Sequence, residues 1–126
     1  MAELMTEAEI HDFGIEVVVG FLRREGHEIV EVHTKLGVNP QIAARKDGQL
    51  EVVVVRTACY PAKGALDASL KASHIAHAEK CGAICYSASV GIANSSGKTD
   101  AEMAIPIKGA GYYVSFSGIE LLHGAN

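Results

Sequence analysis

Tryptophan is absent from this chain, and phenylalanine and tyrosine bring the aromatics only to 6%. A surface that stacks successive bases of a single-stranded nucleic acid needs more rings than that. The core must be built from Val, Ile, Leu and Ala instead. No apolar run is long enough to span a bilayer. The opening MAELMTEAEI lacks the basic and apolar blocks of a signal peptide, so a cytoplasmic location is expected. Cysteine is scarce and odd in number (Cys59, Cys81, Cys85), which fits reduced thiols better than a disulfide framework.

An excess of positive charge is lacking too. The net charge of −4 argues against a dedicated nucleic-acid binder. The charge is unevenly spread, however. Residues 1–34 carry two basic side chains against eight acidic ones, whereas residues 35–71 carry six (Lys35, Arg45, Lys46, Arg56, Lys63, Lys71) against three. An anionic ligand near that basic segment is compatible with the pattern, as is an ordinary solvated mixture of charges. With 126 residues there is enough chain for one domain with a core and too little for two.

The strongest local signal is NPQIAARKDGQLEVVVVRT, from Asn39 to Thr57. Asp47-Gly48 between two apolar-rich runs predicts a tight hairpin. Four consecutive valines, 52–55, predict a strand buried on both faces and central in its sheet. Upstream, Thr6 and Glu9 form a capping-box pattern, and Ile10, Phe13, Val17, Val18, Phe21 and Leu22 line one face of the helix that follows. Residues 27–33 read as a strand, 66–81 as an Ala-rich second helix stopped at Gly82, and 83–92 as another central strand. The segment 103–107 reads as a short edge strand around Pro106, and 112–116 and 119–122 as two final strands. The resulting order, α-β-β-β-α-β-β-β, predicts a single α/β sandwich with a mixed central sheet flanked by helices.

That order resembles the restriction-endonuclease-like, PD-(D/E)xK superfamily, with Pro40-Gln41 opening one hairpin strand and Val54-Val55-Arg56 ending the next. The resemblance covers mainly residues 8–92 of one domain, 1–126. It implies a nuclease core in which an Asp follows the Pro and an acid-X-Lys triplet ends the second strand. Those acids hold Mg²⁺ through hard oxygen ligands, and the metal activates the attacking water. Here Gln41 replaces the Asp, Val54 the acid, and Arg56 the Lys; Glu16 on the first helix matches the helical acid. The resemblance therefore implies a degenerate member, expected to be non-catalytic, with no catalytic residues, no metal and no cofactor.

What remains is a candidate ligand-binding cluster, Glu16, Gln41 and Arg56, whose plainer reading is a Glu16–Arg56 ion pair beside Gln41. The expected role is binding or assembly, with a nucleic acid or another anionic ligand, or a second copy of the chain, as partner. Two alternatives are a metal-dependent nuclease with a relocated acid and a small-molecule binder at Gln41 and Arg56. Glu51 would supply the relocated acid, but its strand parity sends it to the face opposite Arg56.

Three weaker signals carry plain structural readings. Ser95-Ser96-Gly97-Lys98-Thr99 lacks the correctly spaced first glycine and the long helix of a phosphate loop. His74, His77 and Cys81 share a helix face but have no second ligand pair with metal spacing. Cys59 sits near Arg56 and Lys63, which would favour its thiolate, but reads equally as a small apolar filler.

Overall fold

The computed structural model describes residues 4–35, 40–62, 64, 67–107 and 111–123. Helix α1 spans Glu7–Arg24. Thr6 Oγ1 accepts the Glu9 N–H at 3.2 Å and Glu9 Oε1 accepts the Thr6 N–H at 2.8 Å, so the capping box forms. The buried stripe of α1 is Gly14, Ile15, Val18 and Leu22. Its centre therefore lies on Ile15 and Val18, with Ile10, Phe13, Val17 and Phe21 half-buried along its margins. Each fully buried aliphatic side chain contributes about 2 kcal/mol against leaving it in water.

Strands β1 (Glu28–Val32), β2 (Ile42–Lys46) and β3 (Gln49–Cys59) pair antiparallel in sequence order. Lys46 faces Gln49 across a two-residue turn, with φ of 52° at Asp47 and 80° at Gly48. Positive φ at both central residues is the turn whose twist suits a hairpin. The chain then enters α2 (Ala68–Cys81) and returns as β4 (Ile84–Asn94), which pairs parallel with β3 along its length. Val52 to Val55 are at most 5% exposed, as expected for the strand between β2 and β4. Their side chains alternate. Val53 and Val55 join Ile42, Val90 and Ile92 beneath α1, whereas Val52 joins Cys85, Ala78 and Ala83 on the α2 face. Helix α2 begins at Ala68 because the Asp67 carboxylate accepts the Leu70 N–H at 2.9 Å, taking the N-cap place. Gly82 ends it with φ of 66°.

The segment expected as an edge strand is a correction. Residues 100–103 form the short helix α3 (Asp100–Met103), capped by the Thr99 side chain. Ile107 makes only an isolated bridge to Leu4. Two strands follow, β5 (Tyr112–Ser115) and β6 (Ile119–His123), and both pair antiparallel with the free side of β4. Gly91 faces Ser115 while Ala88 faces Ile119, so the outer chain spends one residue more than β4 between those pairs. β5 and β6 are thus one edge strand broken by a bulge. The bulge is fixed by Gly118 at φ 108° and by Phe116 set edge-on to Phe21, with ring centroids 5.2 Å apart. The product is a six-stranded mixed sheet between helices, in one α/β domain. Among the described residues no helix is long and apolar enough to cross a membrane.

Candidate functional site

Three positions of the hairpin carry the question of chemistry. Gln41, just before β2, is 1% exposed, and its Oε1 accepts the Val55 N–H at 2.6 Å. The side chain thus serves a β3 backbone donor at the point where the β2 ladder stops. Val54 is fully buried. Both side chains, Gln41 and Val54, are therefore built into the fold.

Arg56 is half-buried at the far end of β3, on the α2 face. Its Nη1–H donates to the Val55 carbonyl at 3.0 Å. Burial lowers the guanidinium pKa, and the Asp67 carboxylate acts in the opposite direction. Gly64 crosses directly above this residue. A Cβ there would lie 2.0 Å from the Arg56 carbonyl, so the loop can run this close only as glycine.

The structure does not bring Glu16 to this place. Glu16 is exposed on α1 and lines a groove of about 490 Å³ with Asp12, Arg23, Val32 and Thr34. Among the described residues no ion pair joins Glu16 to Arg56. Helix α1 covers one face of the sheet, and Arg56 belongs to the other.

His11 of α1 and His74 of α2 both feel the Arg56 charge. Among the described residues, the Nε2 atoms of His11 and His74 and the hydroxyl of Thr57 are buried and find no hydrogen-bond partner. Such groups are rare in folded proteins and cost free energy. His74 is 6% exposed, on the inner side of α2. Its pKa is lowered by burial first, then by the Arg56 and His77 charges. His11 is lowered by burial and Arg56, with Asp12 and Glu7 opposing. A lowered histidine pKa means the folded state binds fewer protons than the unfolded chain. This contribution is therefore complete above the unfolded value of 6.5 and is lost as pH falls through the lower folded values. Urea melts taken from neutral pH down through the mildly acidic range should show falling stability, and a His11→Gln, His74→Gln variant should flatten that limb. An unchanged limb in the variant would assign it to other groups.

His77 and Cys81 lie on the exposed side of α2, with Nε2 and Sγ 3.7 Å apart. Among the described residues, no three His, Cys, Asp or Glu side chains converge as a metal site would require. Burial pushes the Cys59 and Cys85 thiols up, so Cys59 is not the activated thiolate that its basic neighbours suggested. Lys63, one of those neighbours, lies outside the described residues. Ser95 to Thr99 form a turn in which the Asn94 side chain accepts the Ser96 N–H at 2.9 Å.

One cluster has no counterpart in the sequence reading. Glu51 does point away from Arg56, and there its Oε1 meets His27 Nδ1 at 2.5 Å, with both side chains 7% exposed. Tyr86 joins them; its hydroxyl pKa is raised by burial, then by the Glu51 charge and hydrogen bond. The signal was available. A carboxylate at the head of a valine run that is buried on both faces must find a partner, and His27 and Tyr86 are the groups the topology offers.

No curated protein and no solved structure matches this chain. A family model does match, over residues 8–122, and by that match the chain belongs to the family described as a domain of unknown function, DUF8840.

Proposed function

We propose that this domain is a non-catalytic, nuclease-like module that binds an anionic, phosphate-bearing ligand at Arg56. The observation that carries this reading is the contrast along β3. The two acid positions are occupied by buried Val54 and by Gln41, which holds the Val55 N–H, while the cationic position keeps a half-buried Arg56. Arg suits phosphate recognition because its planar fork can donate two parallel bonds. The α/β sandwich is compatible with the nuclease-like ancestry, and the six-stranded order supplies the same hairpin that the ancestry requires.

A second reading concerns assembly. The β1 edge carries Glu28 and Glu31 in five residues, a charged edge of the kind that discourages pairing. The opposite edge, β5 and β6, exposes Tyr113, Val114 and Leu121 and has Glu120 as its only charge. A homodimer would form through that edge.

The test is calorimetric titration with inorganic phosphate and with a short single-stranded oligonucleotide, in low and high salt. Binding should weaken with salt and fall about tenfold or more in Arg56→Gln, the loss of roughly one charge-assisted bond. No cleavage should appear with Mg²⁺ or Mn²⁺. Metal-dependent cleavage, or binding indifferent to Arg56→Gln, would overturn the reading. Sedimentation of the same samples, with and without Val114→Lys, reads the dimer.

A further inference from the structure

Strand β4 presents two contrasting faces. Toward α1 it places Tyr86, Ala88, Val90 and Ile92. Toward α2, by strand alternation, it places Cys85, Ser87, Ser89, Gly91 and Ala93, none larger than a cysteine. The first rows of that small-residue face are covered by α2, where Ala78 packs with Val52, Ala83 and Cys85. At Gly91 and Ala93 the cover is different. There the walls are Tyr60, Pro61 and Ala62 after β3, Met103 of α3, and Tyr113 and Ser115 of β5, which are the register partners of Ala93 and Gly91. They enclose a cavity of about 340 Å³, opening at the carboxyl ends of the parallel pair β3 and β4. That is where open α/β sheets place their ligands.

We infer that this cavity is a binding site for a neutral, planar aromatic molecule of one or two rings. Its size is within the range of small-molecule pockets, which begins at about 300 Å³. Among the described residues no charged side chain lines it, so a ligand charge would find no partner on those walls. The floor is flat, because Gly91 and Ala93 offer nothing beyond a methyl group. The walls are two tyrosine rings and a thioether, side chains that prefer aromatic faces and edges. One wall is fixed in place: the Tyr60 hydroxyl donates to Asp100 Oδ1 at 3.2 Å, and the Tyr60 N–H donates to the Ile92 carbonyl at 2.7 Å. The other wall, Tyr113, is 61% exposed at the mouth. The Ser115 hydroxyl leaves room for one hydrogen bond to a ring nitrogen or hydroxyl. The inference is independent of the anion reading, since it concerns a different row of the sheet from Arg56.

Indole is the probe. The chain has no tryptophan, so indole emission can be followed without protein background at wavelengths that tyrosine does not absorb. Titrating protein into indole should give a saturable blue shift and rise in anisotropy at submillimolar strength. Ala93→Leu, which fills the floor, should weaken binding about tenfold or more, the scale of one lost methylene-sized fit or greater. Ala93 is buried, so Tyr113→Ala, on the exposed strand, provides the independent variant; it should weaken binding likewise while Tyr113→Phe retains it. Cyclohexanol, of similar polarity but not planar, should compete poorly. Failure to saturate at millimolar protein, binding unaltered by both variants, or equal competition by cyclohexanol would overturn the inference.

Discussion

Replacing Gly14 with alanine should lower the stability of the domain by about 3 kcal/mol, near the upper end for an overpacked core. The reason is the approach of α1 to β3. A Cβ on Gly14 would lie 1.7 Å from Thr57 Oγ1, 2.8 Å from its Cβ and 3.0 Å from its Cγ2. Rotation of the threonine cannot clear all three, because its Cβ does not move with χ1. The helix must lift, and Ile15, Val18 and Leu22 would lift with it. Chemical denaturation should place the Gly14→Ala midpoint well below that of the parent. Adding Thr57→Ala removes two of the three clashes and should recover part of the loss. It also removes a buried hydroxyl that finds no partner among the described residues. A Gly14→Ala protein as stable as the parent would mean that the helix does not pack this closely.

The second large effect is expected at Glu51. Glu51→Ala leaves His27 buried with its partner gone and opens a small cavity beside Tyr86. Breaking a buried pair by removing one member costs about 3 kcal/mol or more. Glu51→Gln keeps the shape and one hydrogen bond and should cost much less, about 1 kcal/mol. Replacing both members with apolar side chains, as in His27→Phe with Glu51→Leu, should be close to neutral, because the desolvation penalty goes with the buried polar groups. A double-mutant cycle on His27→Ala and Glu51→Ala measures the coupling directly. Strict additivity would show that the two side chains do not depend on each other.

These two sites show what could be seen in the residues and what could not. The hairpin at Asp47-Gly48, the Thr6–Glu9 cap and the central place of the valine strand are all local or compositional. Each follows from short-range rules that tertiary context did not override. The opposite directions of Glu51 and Arg56 were likewise legible, since alternation along a strand is geometric. The missing parts are long-range. Nothing near Glu16 announces that its side of α1 faces water, because one helical turn decides between the core stripe at Ile15 and Val18 and the solvent beyond it. The partnership of His27 with Glu51 joins residues 24 apart in sequence, and needs the pairing of β1 with β2 before it can be seen. Of the expected strand 103–107, Met103 closes the short helix capped by Thr99 and Ile107 keeps an isolated bridge to Leu4, since Pro106 cannot donate to a ladder.

The sheet has a single parallel seam, β3 against β4. On one side of it lie strands paired with their neighbours in sequence, and on the other lies β4 with its interrupted edge strand. The β1–β2–β3 pairings close small loops, whereas the seam closes a loop that holds the whole of α2, and the β4–β6 pairing closes one just as long. The order of events in folding is therefore written into the topology. The β1–β2–β3 meander is expected to assemble first, and the docking of β4 with its edge strand along the valine strand to follow as the slower step that makes one molecule.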